Sequence, residues 1–330
     1  MTAPSRLPLL TTTERSTFRR CPLPWLWWQR YRMGYVKKNH SPDSLWFGIG
    51  VHLALANWYQ GGKIRGPHPA QTFAEWAGDE FREIRVRETW DDEPRYVDAC
   101  ELGVAMLEHY VEHYGRDDHW DVLAVERPFN VIVRDHGRAI ARVMSRWDGV
   151  ARDERDGELY LLEHKTASSI ATAYLELDDQ AGLYWAVASQ VLRREGVLGR
   201  REHISGIVYN FLRKQFPDER DQDEEGRYLN KDGSVSKKQP APYFVREVIE
   251  RQPKEQLAQL ERLTDEVTVM NAVRSGKIPL WKNTTKDCTF CPMVGPCKLH
   301  ERGGNAYQDL LAAQYDQEDP YANYRKSAAG

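Results

Sequence analysis

The stretch Leu159-Tyr160-Leu161-Leu162-Glu163-His164-Lys165-Thr166 begins as a buried strand and ends in two opposite charges one residue apart. Alternation along a strand puts Leu159, Leu161, Glu163 and Lys165 on one face. The strand expected before it, 139–152, contains Asp148 and is joined to it through Glu154-Arg155-Asp156-Gly157, whose Asp-Gly pair marks a tight hairpin. A loop with an even number of residues sets Asp148 opposite an odd-numbered residue, such as Glu163 or Lys165, and opposite residues share a face. Without an intervening bulge, all three converge on one patch. Two carboxylates there repel each other unless a positive group separates them, and a divalent cation does so. Oxygen ligands suit Mg²⁺ or Mn²⁺, which engage a substrate phosphate and acidify a bound water. Lys165 beside such an ion would orient the water or offset charge developing on the phosphate. The plainer alternative is a cross-strand ion pair between Lys165 and a carboxylate.

A second constellation lies near the end of the chain. Cys288, Cys291 and Cys297 follow a C-x2-C-x5-C spacing, which favours a soft metal or a cluster. His300 would complete a local Cys₃His zinc site. Cys21, followed by proline as Cys291 is, would instead complete a Cys₄ set for an iron-sulfur cluster. Cys100 stands alone in a helical pattern and reads as a core cysteine.

The elements that must carry these residues follow from periodicity. Thr11-Thr12-Thr13-Glu14 is a capping box opening a helix towards Cys21, and Trp25 and Trp28 have the spacing of a second helix, as core residues or as stacking platforms. Helices are expected over 43–59, which contains His52, and over 73–87 and 96–114. Strands follow at 122–133, 139–152 and 159–165, then a helix at 175–194, strands at 204–212 and 243–249, and a helix at 253–275. That order reads as an α/β or α+β domain with a central mixed sheet. The polar segment 215–242 reads as a mobile insertion in a strand pair, and the residues after Arg302 as a tail with one amphipathic piece around Leu310 and Tyr315.

Composition narrows the class. With 330 residues, 41% of them hydrophobic, the chain can bury a large core, and the net charge of −3 argues against coating nucleic acid through bulk positive charge. Basic groups cluster locally at Arg19, Arg20, Arg30, Arg32, Lys37 and Lys38, and at Arg193, Arg194, Arg200 and Arg201, while acid collects from Asp218 to Glu225. No apolar run approaches a membrane span and the N-terminus lacks a signal-peptide pattern, so a cytoplasmic protein without a membrane partner is expected.

In motif order these residues resemble the PD-(D/E)XK nuclease superfamily, and within it the RecB-like branch. The likeness rests on Asp148, Glu163-X-Lys165, Gln180-Ala181-Gly182-Leu183-Tyr184 as a Gln-x-x-x-Tyr motif, and His52 within Gly48-Ile49-Gly50-Val51-His52. Trp147 stands where the superfamily name has proline, a variation the branch tolerates. The resemblance implies a restriction-endonuclease-like core with an N-terminal helical insertion at about 43–115. By it, His52, Asp148 and Glu163 bind Mg²⁺ or Mn²⁺ with the backbone carbonyl of His164, and Lys165 is catalytic. Gln180 and Tyr184 position the DNA and the lysine, and Glu126 is a further carboxylate near the ion or for a second one. One cysteine before the histidine helix and three after the core look like the 4Fe-4S staple of AddB-type and CRISPR-associated or phage RecB-like exonucleases, which assigns Cys21, Cys288, Cys291 and Cys297 to a cluster. The domain would span 1–300, with a tail at 301–330. The implied activity is a DNA exonuclease acting on single strands or ends in recombination, repair or phage DNA processing. The alternatives are a non-catalytic DNA-end-binding partner of a helicase, integrase or recombinase, and an endonuclease.

Overall fold

The structure, a computed structural model, describes residues 7–30, 33–34, 42, 44–87, 93–317 and 321. Of the residues singled out above, Arg32, Lys37, Lys38 and Asp43, and the side chains of Trp28 and Arg30, lie outside the described residues.

Thr11 accepts a hydrogen bond from the Glu14 N–H at 3.1 Å and starts α1 (Thr12–Arg20), followed by α2 (Pro22–Arg30). Three helices come next: α3 (Ser44–Trp58), α4 (Pro69–Arg87) and α5 (Glu93–Tyr114). They pack closely because glycine lets them. A Cβ on Gly50 of α3 or on Gly103 of α5 would lie 2.6 or 2.1 Å from the ring of Phe73 on α4. The long strands β3 (Trp120–Asp135) and β4 (Arg138–Asp153) form a hairpin, and β5 (Leu159–Ala167) returns beside β4. The β4–β5 loop closes on the Gly157 N–H to Asp153 carbonyl bond, with Gly157 at φ +79°.

Asp178 caps α6 (Asp179–Arg194), which crosses over so that β6 (Gly206–Arg213) runs parallel to β5. The 175–194 helix of the sequence reading is therefore a short 3₁₀ turn, Leu175–Leu177, and then α6. β7 (Phe244–Glu250) pairs antiparallel with β6, and α7 (Pro253–Arg274) follows. The 215–242 insertion has internal structure: Asp218 and Asp223 take Arg220 and Arg227, and isolated bridges join Gln222 to Tyr228 and Leu229 to Val235.

One face of this mixed sheet is buried under α6 and α7 through Val143, Trp147, Leu161, Leu183, Val187 and Met270. The other lies under α3 to α5 through Leu55, Phe73, Leu107, Ala151, Leu162 and Val208. Helices on both faces of a mixed sheet make this an α/β fold. β1 (Leu9–Thr11) joins the sheet parallel to β4. Near the end, α8 (Val294–Glu301) and α9 (Ala306–Gln314) place Met293, Leu311 and Tyr315 against Leu23 and Trp27 of α2, and β8 (Asp316–Gln317) pairs with β2 (Met33–Gly34).

Glu14, buried beneath α1, joins distant parts of the chain. Its carboxyl meets Trp25 Nε1 at 3.0 Å, Tyr321 Oη at 2.9 Å and Arg274 Nη2 at 3.3 Å. Tyr321 has one hydroxyl proton and lies 2.9 Å from the Leu9 carbonyl, which can only accept, so the pair is satisfied when Glu14 carries a proton. Burial pushes the Glu14 carboxyl up to about 7 against the opposing pull of Arg274 and the hydrogen bonds. A carboxyl raised on folding stabilises fully below its unfolded value, and that contribution is lost as pH rises through the folded one. Relative to Glu14→Gln, the wild type should lose on the order of 2–3 kcal/mol of unfolding free energy between about pH 5 and about pH 8. Denaturant titrations of both proteins check this, and parallel pH profiles would refute it.

Candidate active site

The site lies where two strands part. β4 keeps β3 along one edge throughout, but its other edge is shared between β1, at Arg142 to Met144, and β5, from Gly149 to Arg152. Ser145 to Asp148 fall in the gap. The last β4–β5 pair is Gly149 with Leu162, so the next step sets Asp148 beside Glu163. On β3, Glu126 falls between Val125, paired with Gly149, and Arg127, paired with Trp147, and so lies opposite Asp148. Three carboxylates thus form a row across three strands.

The hairpin parity of the sequence reading is present, and the β4–β5 pairing runs without a register shift from Arg152 to Gly149. Ala141, Val143 and Trp147 face the α6–α7 cluster, and so does Val150, so the alternation slips by one at Asp148 and Gly149. The matching slip on β3 is at Glu126, which holds a left-handed φ of +45°. That conformation is costly for a residue with a Cβ and recurs at functional sites. One step on from Trp147, Asp148 points to the other side of the sheet, towards α3, where His52 Nδ1 is 3.3 Å from its Oδ1. Its other oxygen accepts the His164 backbone N–H at 2.8 Å, replacing a sheet carbonyl at the fork.

One ligand atom from each of His52, Glu126 and Asp148 lies within 4.8 Å of the other two, the set of this kind found among the described residues. The structure does not bring Glu163 into that set: its Oε1 is held by Lys165 Nζ at 2.5 Å. Burial alone would lower His52, but Asp148, Glu163 and Glu126 outweigh it and push the imidazole up to about 9. Burial would raise Asp148, yet His52 and His164 bring it down to about 2. Burial and the nearby Asp148 raise Glu163 to about 7 despite Lys165. A field that draws a proton onto His52 also favours a cation, and one imidazole with two carboxylates can hold a divalent ion.

Gln180 and Tyr184 share a face of α6, and Gln180 Nε2 donates to the Tyr184 hydroxyl at 3.0 Å. That hydroxyl also meets Ser145 Oγ in the strand gap at 2.6 Å and Thr12 Oγ1 at 3.2 Å. Ser145 and Thr12, which fix where Tyr184 sits, escaped the sequence reading because isolated hydroxyls give no pattern. Arg146 was also missed; its Nε is 2.7 Å from Glu126 Oε2. Arg19, from the first basic cluster, is taken up by Asp179 and Glu266.

Behind His164 lies a buried network whose donors have one consistent direction. Arg246 Nε can only donate, so the Asn210 oxygen faces it at 3.1 Å and the Asn210 nitrogen faces His164 Nδ1 at 3.0 Å. The His164 proton therefore sits on Nε2. Burial, with His52 and Arg246 adding to it, lowers this imidazole to about 4, so the ring is neutral. Tyr59 stacks on the ring at 5.9 Å, and its hydroxyl lies 2.5 Å from Asp117, which binds Arg246 through both oxygens at 2.8 and 2.5 Å.

The cysteines meet elsewhere. Cys21, Cys288, Cys291 and Cys297 all line one cavity of about 50 Å³ beside Lys282 and Asn283. The Asn283 N–H donates to Cys21 Sγ at 3.2 Å and the Thr285 N–H to Cys288 Sγ at 3.4 Å. Burial raises the Cys297 thiol, as do the three other cysteines around it. His300 does not line this cavity; its ring packs against Trp27 and Tyr307 at 5.7 and 5.0 Å. No three of the sulfurs lie within 4.8 Å of one another.

Residues 10–298 match the PD-(D/E)XK nuclease superfamily. No curated protein matches the chain. A crystal structure from Eubacterium rectale, described as that of a candidate exonuclease, is similar at 11% identity over 87% of this chain and 92% of that one, with a TM-score of 0.45. Among the described residues, no helix is long and apolar enough to cross a membrane.

Proposed function

The chain belongs to the PD-(D/E)XK nuclease superfamily, and from that premise we propose that it is a Mg²⁺- or Mn²⁺-dependent DNA exonuclease, acting from ends with single strands preferred. The observation that carries this reading is the row of Glu126, Asp148 and Glu163 across the strand fork, with His52 and Lys165 beside it. A bound divalent ion would acidify a water and neutralise the phosphate it attacks. His52, Asp148 and Glu126 present ligand atoms close together for that ion, and Glu163 with the His164 carbonyl would complete its shell, as the resemblance implies. Lys165 places a positive charge where charge develops on the phosphate, and Glu163 holds it there. Gln180 and Tyr184, anchored by Ser145 and Thr12, position the strand and the lysine. Recombination, repair or phage DNA processing, with a helicase or recombinase as partner, are the settings that suit such an activity.

Cys21, Cys288, Cys291 and Cys297 are proposed as ligands of a 4Fe-4S cluster, supported by their shared cavity and the N–H groups aimed at two sulfurs. The cluster would tie the end of α1 to the chain near residue 290 and so close a very long loop, a structural role.

One anaerobic preparation tests both halves. It should be brown and contain iron and acid-labile sulfide, and with Mg²⁺ or Mn²⁺ it should degrade linear single strands while leaving circular ones intact. Cutting of the circle would make it an endonuclease, and intact linear DNA would leave the non-catalytic end-binding reading. A colourless protein with stoichiometric zinc would refute the cluster.

A further inference from the structure

The groove that holds His52 and Glu126 has an apolar wall that the chemistry above leaves unused. Its volume is about 1090 Å³ including its open mouth, and Leu45, Ile49, Leu53 and Arg146 line it with those two residues. Leu45, Ile49, His52 and Leu53 recur at helical spacing, so one face of α3 presents aliphatic side chains and a candidate metal ligand together. Ile49 is 52% exposed and Leu53 39%, although they stand beside an ionic site. Between them and the sheet, Gly48 keeps the floor low: a Cβ there would meet only Thr166 Oγ1, at 3.8 Å. Leu177 and Phe216, in the segments that follow β5 and β6, are exposed as well.

We infer that the Ile49–Leu53 ledge receives the faces of unpaired nucleotides next to the phosphate being cut, which makes the groove a site for a single or locally opened strand. The inference rests on the nuclease reading above. In a duplex the base faces are stacked on one another, and the outer surface is phosphate and sugar, which recruits cations and hydrogen-bond donors. An aliphatic ledge gains nothing from that surface. It gains when unstacked bases or sugars cover it, and such contacts are tolerant of sequence because every base has an apolar face. Arg146, half exposed in the same groove, is paired with Glu126 at 2.7 Å, so its guanidinium borders the ledge with its charge already matched.

The test is the double variant Ile49→Asn/Leu53→Asn. Both side chains are exposed, and circular dichroism verifies the fold. KM for a linear single-stranded oligonucleotide in Mg²⁺ should rise about ten-fold, and Kd from fluorescence anisotropy in Ca²⁺ should rise with it, with a smaller change for the blunt duplex of the same sequence. Leu53→Trp enlarges the ledge and should tighten single-strand binding, a gain that a folding defect does not produce. Equal shifts for both substrates, or none in either variant, overturn the inference while leaving the nuclease reading intact. If the ledge instead covers a second copy of the chain, the Asn variant will sediment differently with an unaltered KM, which also overturns it. A wild type that cuts no DNA with Mg²⁺ or Mn²⁺ overturns the nuclease reading itself, and the inference with it.

Discussion

Asp148→Asn is expected to lower kcat on linear DNA by about 10³-fold or more while leaving the protein folded. Asp148 is the residue the site turns on: one oxygen meets His52 Nδ1, the other takes the His164 N–H, and Glu126 and Glu163 flank it on the neighbouring strands. Asparagine has nearly the same shape, and its carbonyl oxygen can still accept the His164 N–H. The substitution therefore removes charge with little change of packing, but it also removes the charge that His52 and His164 stabilise, as the lowered Asp148 carboxyl shows. Unfolding free energy at neutral pH should fall by about 1–3 kcal/mol, less than the protein needs to unfold. His52 supplies a readout independent of activity. Its imidazole is raised chiefly by Asp148 against burial, so in the variant its pKa, followed by NMR, should fall from about 9 towards or below the ordinary value of 6.5. Raising Mn²⁺ should recover part of the activity, because the lost carboxylate weakens ion binding before it affects the rest of the site. Near-wild-type turnover would show that Asp148 does not hold the ion, and an unmoved His52 would show that the contact with it does not form.

The parts of this site that were legible in the sequence are those with a local period. The apolar half of 159–165 sets the facing of Glu163 and Lys165, and the Asp-Gly loop sets which residues of the hairpin meet. The capping box at Thr11 and Glu14 was legible for the same reason. The slip at Glu126 and Asp148 was not, because a left-handed φ at a glutamate leaves no trace in a pattern of apolar and polar residues. Asp148 follows Trp147, which faces α6, and so points to a helix on the opposite side of the sheet. β1 was missed because three residues are too few to show alternation, and its parallel partner lies some 130 residues away. Glu14 read only as half of a cap; its contacts with Arg274 and Tyr321 join segments that no local window covers. Spacing brought Cys288, Cys291 and Cys297 together, but that Cys21 and not His300 lines their cavity is visible only in the fold.

Arg246→Met should be the most destabilising single substitution at the back of the site, costing about 3–5 kcal/mol, because it leaves the Asp117 carboxylate buried without its partner. Asp117 sits at a left-handed φ of +53° with its side chain 3% exposed, so it has little water to turn to. The guanidinium also donates to the Tyr59 and Tyr110 hydroxyls at 3.1 and 2.8 Å and lies 3.6 Å over the Tyr114 ring, contacts that methionine cannot replace. Adding Asp117→Asn should restore part of the loss, since both charges are then gone, and the double-mutant cycle read by denaturant unfolding measures their coupling. If the double variant is less stable than Arg246→Met alone, the pair is not the source of the cost. The network also bears on function through what it orients. Arg246 sets the direction of Asn210, Asn210 sets the tautomer of His164, and Tyr59, which follows the end of α3, packs on the same ring. α3 carries His52. Loosening this back wall should let His52 drift from Asp148, so the double variant, assayed at a temperature where it is fully folded, should need more Mg²⁺ or Mn²⁺ for half-maximal activity while kcat at saturating metal changes little. A purely structural network would instead leave the metal requirement of the folded fraction where it is in the wild type.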